Sequence, residues 1–102
     1  MVKRGEVYWV NLDPTFGTEI KKTRPALIIS PDDLNIALPR VIIAPLTSKG
    51  QPLGCRPEVI FNKRSSRILL DQIRSVDKRH LLDKLGEIDE DLWHPILLEM
   101  LD

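Results

Sequence analysis

A single cysteine, Cys55, stands among the 102 residues, so no internal disulfide can form. With only two histidines, His80 and His94, a four-ligand zinc site within one chain is not expected either. No apolar run approaches the ~20 residues that a membrane-spanning helix needs. The opening MVKRGEVYWV is basic but carries no long apolar stretch, so no secretory signal is expected and the cytosol is the default compartment. There is no Walker-type loop and no G-x-G-x-x-G, which leaves nucleotide cofactors without a cradle. Aromatic residues are scarce: Tyr8, Trp9, Phe16, Phe61 and Trp93. Net charge is absent too, and a formal charge of zero taken alone speaks against a nucleic-acid partner.

What is present fits one domain, residues 1–102, with 42% hydrophobic and 29% charged residues. The neutral total hides an asymmetry. Residues 1–67 carry a net +5 and residues 68–102 a net −5. Such a chain can present a basic surface to an anionic partner while remaining neutral overall. Scattered solvated charge would give the same counts.

The apolar runs are short and rich in β-branched residues, which predicts strands over residues 6–12, 25–29, 41–47, 58–61 and 67–70. Residues 72–76 alternate and continue the sheet, whereas residues 80–85 fit strand or helix. Pro25 is expected at a strand's start, and Pro45 at an edge or a bulge. Ser30 and Pro31 have the chemistry of a helix cap and first position, with Pro39 as the stop. Residues 62–66 read as a polar turn and residues 48–57, with two glycines and two prolines, as a loop. Near the end Asp89 can cap a helix, with Ile88 and Trp93 at the spacing of a hydrophobic staple. Pro95 would be costly deep in that helix and would move its start to His94. Short strands so closely spaced predict a mainly β fold, a small curved antiparallel sheet or partial barrel with a C-terminal helix.

Three polar features adjoin strand ends. Arg24 precedes Pro25; Thr47-Ser48 closes the third strand; Asp71-Gln72 and Arg74 interrupt the next apolar run. A partly desolvated guanidinium suits a phosphate by its planar fork, and a hydroxyl can donate to the same anion. On residue types alone internal pairing is the better account, with Arg24 on Asp71 or Glu19, Thr47 on a turn and Gln72 on backbone groups. Asp32-Asp33 suits a helix start better than a cation, and Cys55 has no histidine near it in sequence.

The strings GEVYWV…DP, GTE, RPALIISP, APLTS and LLDQIRSVDK occur in order over residues 5–78. Together they resemble the MazF/PemK (Kid) family of toxin endoribonucleases. The resemblance implies an SH3-like partial barrel shared with CcdB-type toxins. It also implies a homodimer that cuts single-stranded RNA, messenger RNA included, at short sequences without a metal or other cofactor. The partner implied is a cognate antitoxin with an acidic disordered segment; no membrane is involved. Family catalytic positions fall on Arg24 and Thr47, and the G-T-E loop brings Thr18 and Glu19 into view. Gln72 and Arg74 match positions beside the RNA path.

A metal-free ribonuclease can use the RNA's own 2′-OH as nucleophile. Arginine is not deprotonated in proteins, so Arg24 is expected to neutralise phosphoryl charge, Thr47 to hold a non-bridging oxygen, and Glu19 to be the candidate base. Phe16 is the loop aromatic suited to stack on a base. Lys21, Lys22, Ser48, Lys49 and Arg56 would follow phosphates. Trp9 is expected in the core or a dimer interface. The competing readings are a non-enzymatic CcdB-like toxin that binds DNA gyrase and a binding module that has lost activity.

Overall fold

The computed structural model describes residues 1–12 and 23–102. Among these, seven strands form one curled antiparallel sheet: β1 (Glu6–Asn11), β2 (Thr23–Ile28), β3 (Arg40–Thr47), β4 (Glu58–Phe61), β5 (Arg64–Ile68), β6 (Arg74–Asp77) and β7 (Leu81–Glu87). Two short helices, α1 (Asp32–Ala37) and α2 (His94–Leu101), complete it. The strand order is β4-β5-β3-β2-β1-β7, and β6 adds to the free half of β3. The mainly β architecture with a C-terminal helix is therefore the one the sequence predicts. No helix among the described residues is long and apolar enough to cross a membrane.

Each face of the sheet carries its own apolar cluster. Val7, Leu27, Ala44, Leu46 and Ile68 pack under Trp93 and Leu97, which close one side. Val10, Ala26, Ile28, Val41, Ile43 and Val76 form the other. Burial on both faces explains why β2 and β3 read as continuous apolar runs without alternation. Buried Glu6 opens β1, accepting from the Lys3 N–H at 2.6 Å and the Tyr8 hydroxyl at 3.1 Å and meeting Lys84 Nζ at 2.6 Å. Burial pushes its pKa up, but Lys84, the Lys3 N–H and the Tyr8 hydroxyl outweigh it and hold the carboxyl below its ordinary range.

Several boundaries differ from the sequence reading. Pro45 is at neither an edge nor a bulge, but inside β3 where its partner changes from β6 (residues 40–43) to β5 (residues 46–47). Its carbonyl accepts from the Leu69 N–H at 2.8 Å. In a strand a residue's N–H and C=O face the same side, so the missing donor falls in the gap between β6 and β5, where no ladder bond is lost. The β4–β5 turn is only Asn62-Lys63, both at positive φ (50° and 66°). This is a two-residue hairpin of the primed kind, and it moves Ser65 and Ser66 into the strand. Leu70 accordingly begins a 3-10 turn instead of ending a strand.

Residues 80–85 resolve as β7, which starts at Leu81. Ser30 is not the cap of α1; Pro31 holds that place, while the Ser30 hydroxyl donates to the Asn35 side chain and accepts from the Ile42 N–H. Asp89 caps a 3-10 turn over Glu90–Leu92, and α2 begins at His94 with Pro95 in its first turn, where a missing N–H is harmless. Ile88 and Trp93 are both buried in one cluster, as a staple requires.

Candidate functional site

The Arg24-Pro25 pair shapes the site. Pro25 stands opposite Trp9 of β1. Having no N–H, it cannot exchange a pair of ladder bonds there, so its empty donor position faces β3. The β2–β3 rungs stop one residue earlier, at Ala26↔Pro45. Both strands continue past that last rung. Carried on two residues, the register sets Arg24 of β2 across from Thr47 of β3. Proline ends the ladder, and the arginine before it is released to the rim.

Beyond the ladder lies a hollow of about 530 Å3. Arg24, Pro25 and Trp9 line one side of it, and Leu46, Thr47, Ser48 and Lys49 the next. The β4–β5 hairpin adds Phe61, Asn62, Arg64 and Ser66 to the lining, and β7 adds Leu85. Arg24, Lys49 and Arg64 give the lining three cations, and it contains no acidic residue among the described ones. A concave surface with this charge is built for an anion.

Thr47 is oriented by the loop that follows it. Its Oγ1 accepts from the Lys49 N–H at 3.1 Å. That bond occupies the hydroxyl's acceptor side and leaves its proton to donate elsewhere. Gly50, at φ +140°, has a backbone conformation that favours glycine, and a Cβ added there would come within 3.4 Å of the Thr47 methyl. Farther along, Arg56 grips Asp71 with both arms of its fork, at 3.0 and 2.9 Å. Hydrogen bonding from Arg56 holds the Asp71 carboxyl below its ordinary range. The ion pair ties the far end of the loop to the 3-10 turn after β5.

Of the residues singled out in the sequence, Arg24, Thr47, Ser48 and Lys49 thus converge on one hollow. Arg56 lies outside its lining and spends its fork on Asp71. Gln72 is exposed on the 3-10 turn Leu70–Gln72. Arg74 borders a separate hollow of about 90 Å3, beside Arg40 and His80. The internal pairing of Arg24 with Asp71 does not occur, since Asp71 is taken by Arg56. Phe16, Thr18, Glu19, Lys21 and Lys22 lie outside the described residues. Cys55 is a half-buried free thiol. No group of three or more His, Cys, Asp or Glu side chains able to hold a metal gathers among the described residues.

The sequence reading missed the hairpin wall and the place of Trp9. Trp9 is 38% exposed and belongs to the hollow, not to the core. Strand parity gives no signal, because Trp9 shares its face of β1 with fully buried Val7; its exposure follows from its place at the hollow. Arg64 and Asn62 could have been found from the turn chemistry of Asn62, which tolerates positive φ and fixes the register of β5.

Comparison with known proteins follows the same lines. The family model for the PemK-like, MazF-like toxin of type II toxin–antitoxin systems matches residues 3–99. Endoribonuclease EndoA of Bacillus subtilis (strain 168) is 37% identical over 102 residues, covering 94% of this chain and 88% of that protein. The crystal structure of MazF from Deinococcus radiodurans superposes with a TM-score of 0.80 at 27% identity, over 98% of this chain and 96% of that one. A MazE–MazF structure from the same organism gives a TM-score of 0.76 at 28% identity, over 98% and 95% of the two chains.

Proposed function

Because the chain belongs to the PemK-like, MazF-like toxins of type II toxin–antitoxin systems, we propose that its hollow cleaves single-stranded RNA at short sequences. The observation that supports this reading is that Arg24 and Thr47 line the same hollow, whose described lining holds no acidic residue. The EndoA relationship supports the same class of reaction.

The chemistry needs no group beyond RNA and side chains. The 2′-oxygen attacks the adjacent phosphorus, the bond from phosphorus to the 5′-oxygen breaks, and the 2′-proton leaves to a base while the 5′-oxygen gains one. The products are a 2′,3′-cyclic phosphate and a 5′-OH. Charge gathers on the non-bridging oxygens as the ring closes. Arg24 neutralises it with a fixed fork and can donate toward the leaving oxygen, and Thr47 donates its free proton to a non-bridging oxygen. Glu19 is the candidate base. Lys49 and Ser48 hold the strand where it leaves the scissile phosphate.

The natural inhibitor in this reading is an antitoxin whose acidic disordered segment folds over the cationic hollow. The toxin acts in the cytosol as a homodimer, and the exposed Leu98 and Leu101 of α2 are apolar surface that a second copy can cover. A toxin directed at DNA gyrase would use neither Arg24 nor Thr47.

The test is a defined single-stranded RNA incubated with the protein in EDTA, with analysis of product ends. Discrete cuts ending in cyclic phosphate and 5′-OH are expected. Intact RNA, or cleavage that requires an added divalent cation, overturns the reading.

A further inference from the structure

We propose that Arg64, on the β4–β5 hairpin, is a second phosphate clamp that holds the phosphodiester next to the one being cut. This rests on the RNA-cleavage reading above and adds a substrate contact to it.

The inference comes from how the arginines are used. Arg4 is paired with Glu90, Arg56 with Asp71, Arg67 with Glu58 and Arg79 with Asp77. Arg40 donates to the hydroxyl and carbonyl of Ser75. Arg24, Arg64 and Arg74 have no carboxylate partner among the described residues, and of these Arg24 and Arg64 line the hollow while Arg74 borders the smaller one. Arg67, three residues along the same strand, is engaged by Glu58 at 3.3 Å and by the Arg56 carbonyl at 3.2 Å. The strand therefore neutralises one arginine and leaves the other open to the cavity. Two guanidinium groups lining one hollow without a carboxylate between them repel each other, and an anion in the hollow relieves that repulsion. A single phosphodiester carries one charge. A strand laid through the hollow brings its next charge to the hairpin side.

The wall that carries Arg64 is also held in place. The two-residue turn at Asn62-Lys63 fixes β5 against β4 residue by residue, pairing Phe61 with Arg64. Phe61 in turn lies against Gly86 of β7 so closely that an added Cβ would come within 3.1 Å of its ring. The hairpin is thereby seated on the sheet's other edge strand, and its cation stands on a rigid element instead of a free loop. This is the arrangement that fixes a phosphate's position.

The test uses the full chain and a cleavable RNA in which the phosphates flanking the cut are replaced, one at a time, by uncharged methylphosphonates. With the unaltered protein, one flanking replacement is expected to lower kcat/KM about tenfold, the scale of one charge-assisted contact. In Arg64→Gln the unmodified RNA should be cut about tenfold less efficiently, and that same replacement should have no further effect. Replacement elsewhere should remain as harmful as before. Arg64→Lys, which keeps the charge but not the fork, should retain part of the sensitivity. If Arg64→Gln lowers cleavage equally at every replacement, or leaves it unchanged, the clamp is refuted while RNA cleavage stands. If the unaltered protein fails to cut unmodified RNA, both fall.

Discussion

Arg24 and Thr47 line one hollow, and that hollow opens where the β2–β3 ladder stops at Ala26↔Pro45. The relationship follows from backbone chemistry. Pro25 cannot donate toward β3, so the strands lose their rungs at that point and the flanking side chains gain a cavity between them. A residue with an N–H in place of Pro25 could extend the ladder and narrow the rim. Arg24→Ala is expected to fold as the parent, because Arg24 is exposed and unpaired with any described carboxylate. Its cleavage rate should fall by about 10²–10³, the usual effect of removing one preorganised donor. Circular dichroism and single-turnover cleavage check the two halves of that statement.

The Arg56–Asp71 pair bears on the site through the loop between them. Asp71→Asn removes the charge that draws both arms of Arg56 to the 3-10 turn. The loop over residues 48–57 should then be cut faster by a protease, and kcat/KM should fall about tenfold as Ser48 and Lys49 lose their fixed place. Global stability should change little, since the pair is partly exposed. Limited proteolysis beside a thermal melt separates the two effects.

Much of the sheet was legible because its signals are local. β1, β3 and β4 announce themselves as β-branched runs, and Pro95 marks the first turn of α2. The R-P and L-T-S strings pointed to Arg24 and Thr47, and both residues line the hollow. What stayed hidden depended on distant partners. Nothing near Pro45 reveals that two different strands meet beside it. Nothing near Arg56 shows that Asp71 will take its fork. Arg64 looked like part of a polar turn because the positive φ of Asn62 and Lys63 shortens the turn to two residues. Of the two places expected for Trp9, core or dimer interface, its 38% exposure removes the core, and its face, shared with buried Val7, could not show that in advance.

Glu6 makes stability depend on pH in a stated direction. Its folded pKa lies below the ordinary value of 4.5: burial opposes this, but Lys84, the Lys3 N–H and the Tyr8 hydroxyl prevail. A lowered carboxyl pKa contributes stability above the unfolded pKa, and that contribution is lost as pH falls through the folded one. Urea midpoints should therefore drop between neutral pH and about pH 3, and in Glu6→Gln the drop should be smaller. An equal acid-side loss in both proteins would remove Glu6 as a source.

Gly86 tests whether the hairpin wall matters to the substrate. Gly86→Ala forces the Phe61 ring to shift, at a stability cost on the order of 1–3 kcal/mol for such crowding. Binding of a non-cleavable 2′-deoxy analogue should weaken along with the melting temperature. Adding Phe61→Leu, which gives the new methyl room, should recover only the part of the loss due to crowding, because the backbone φ of +159° at Gly86 still strains a side chain, and not all of the binding.

The most direct measurement is a double-mutant cycle on Arg24 and Thr47, using single-turnover cleavage with the parent, Arg24→Ala, Thr47→Val and the combined variant. If both side chains serve one phosphoryl group, the combined loss should be clearly smaller than the product of the separate losses, as for groups that act as a unit. Losses that simply multiply would mean that the guanidinium and the hydroxyl work apart, and the shared rim would not be the place where the strand is cut.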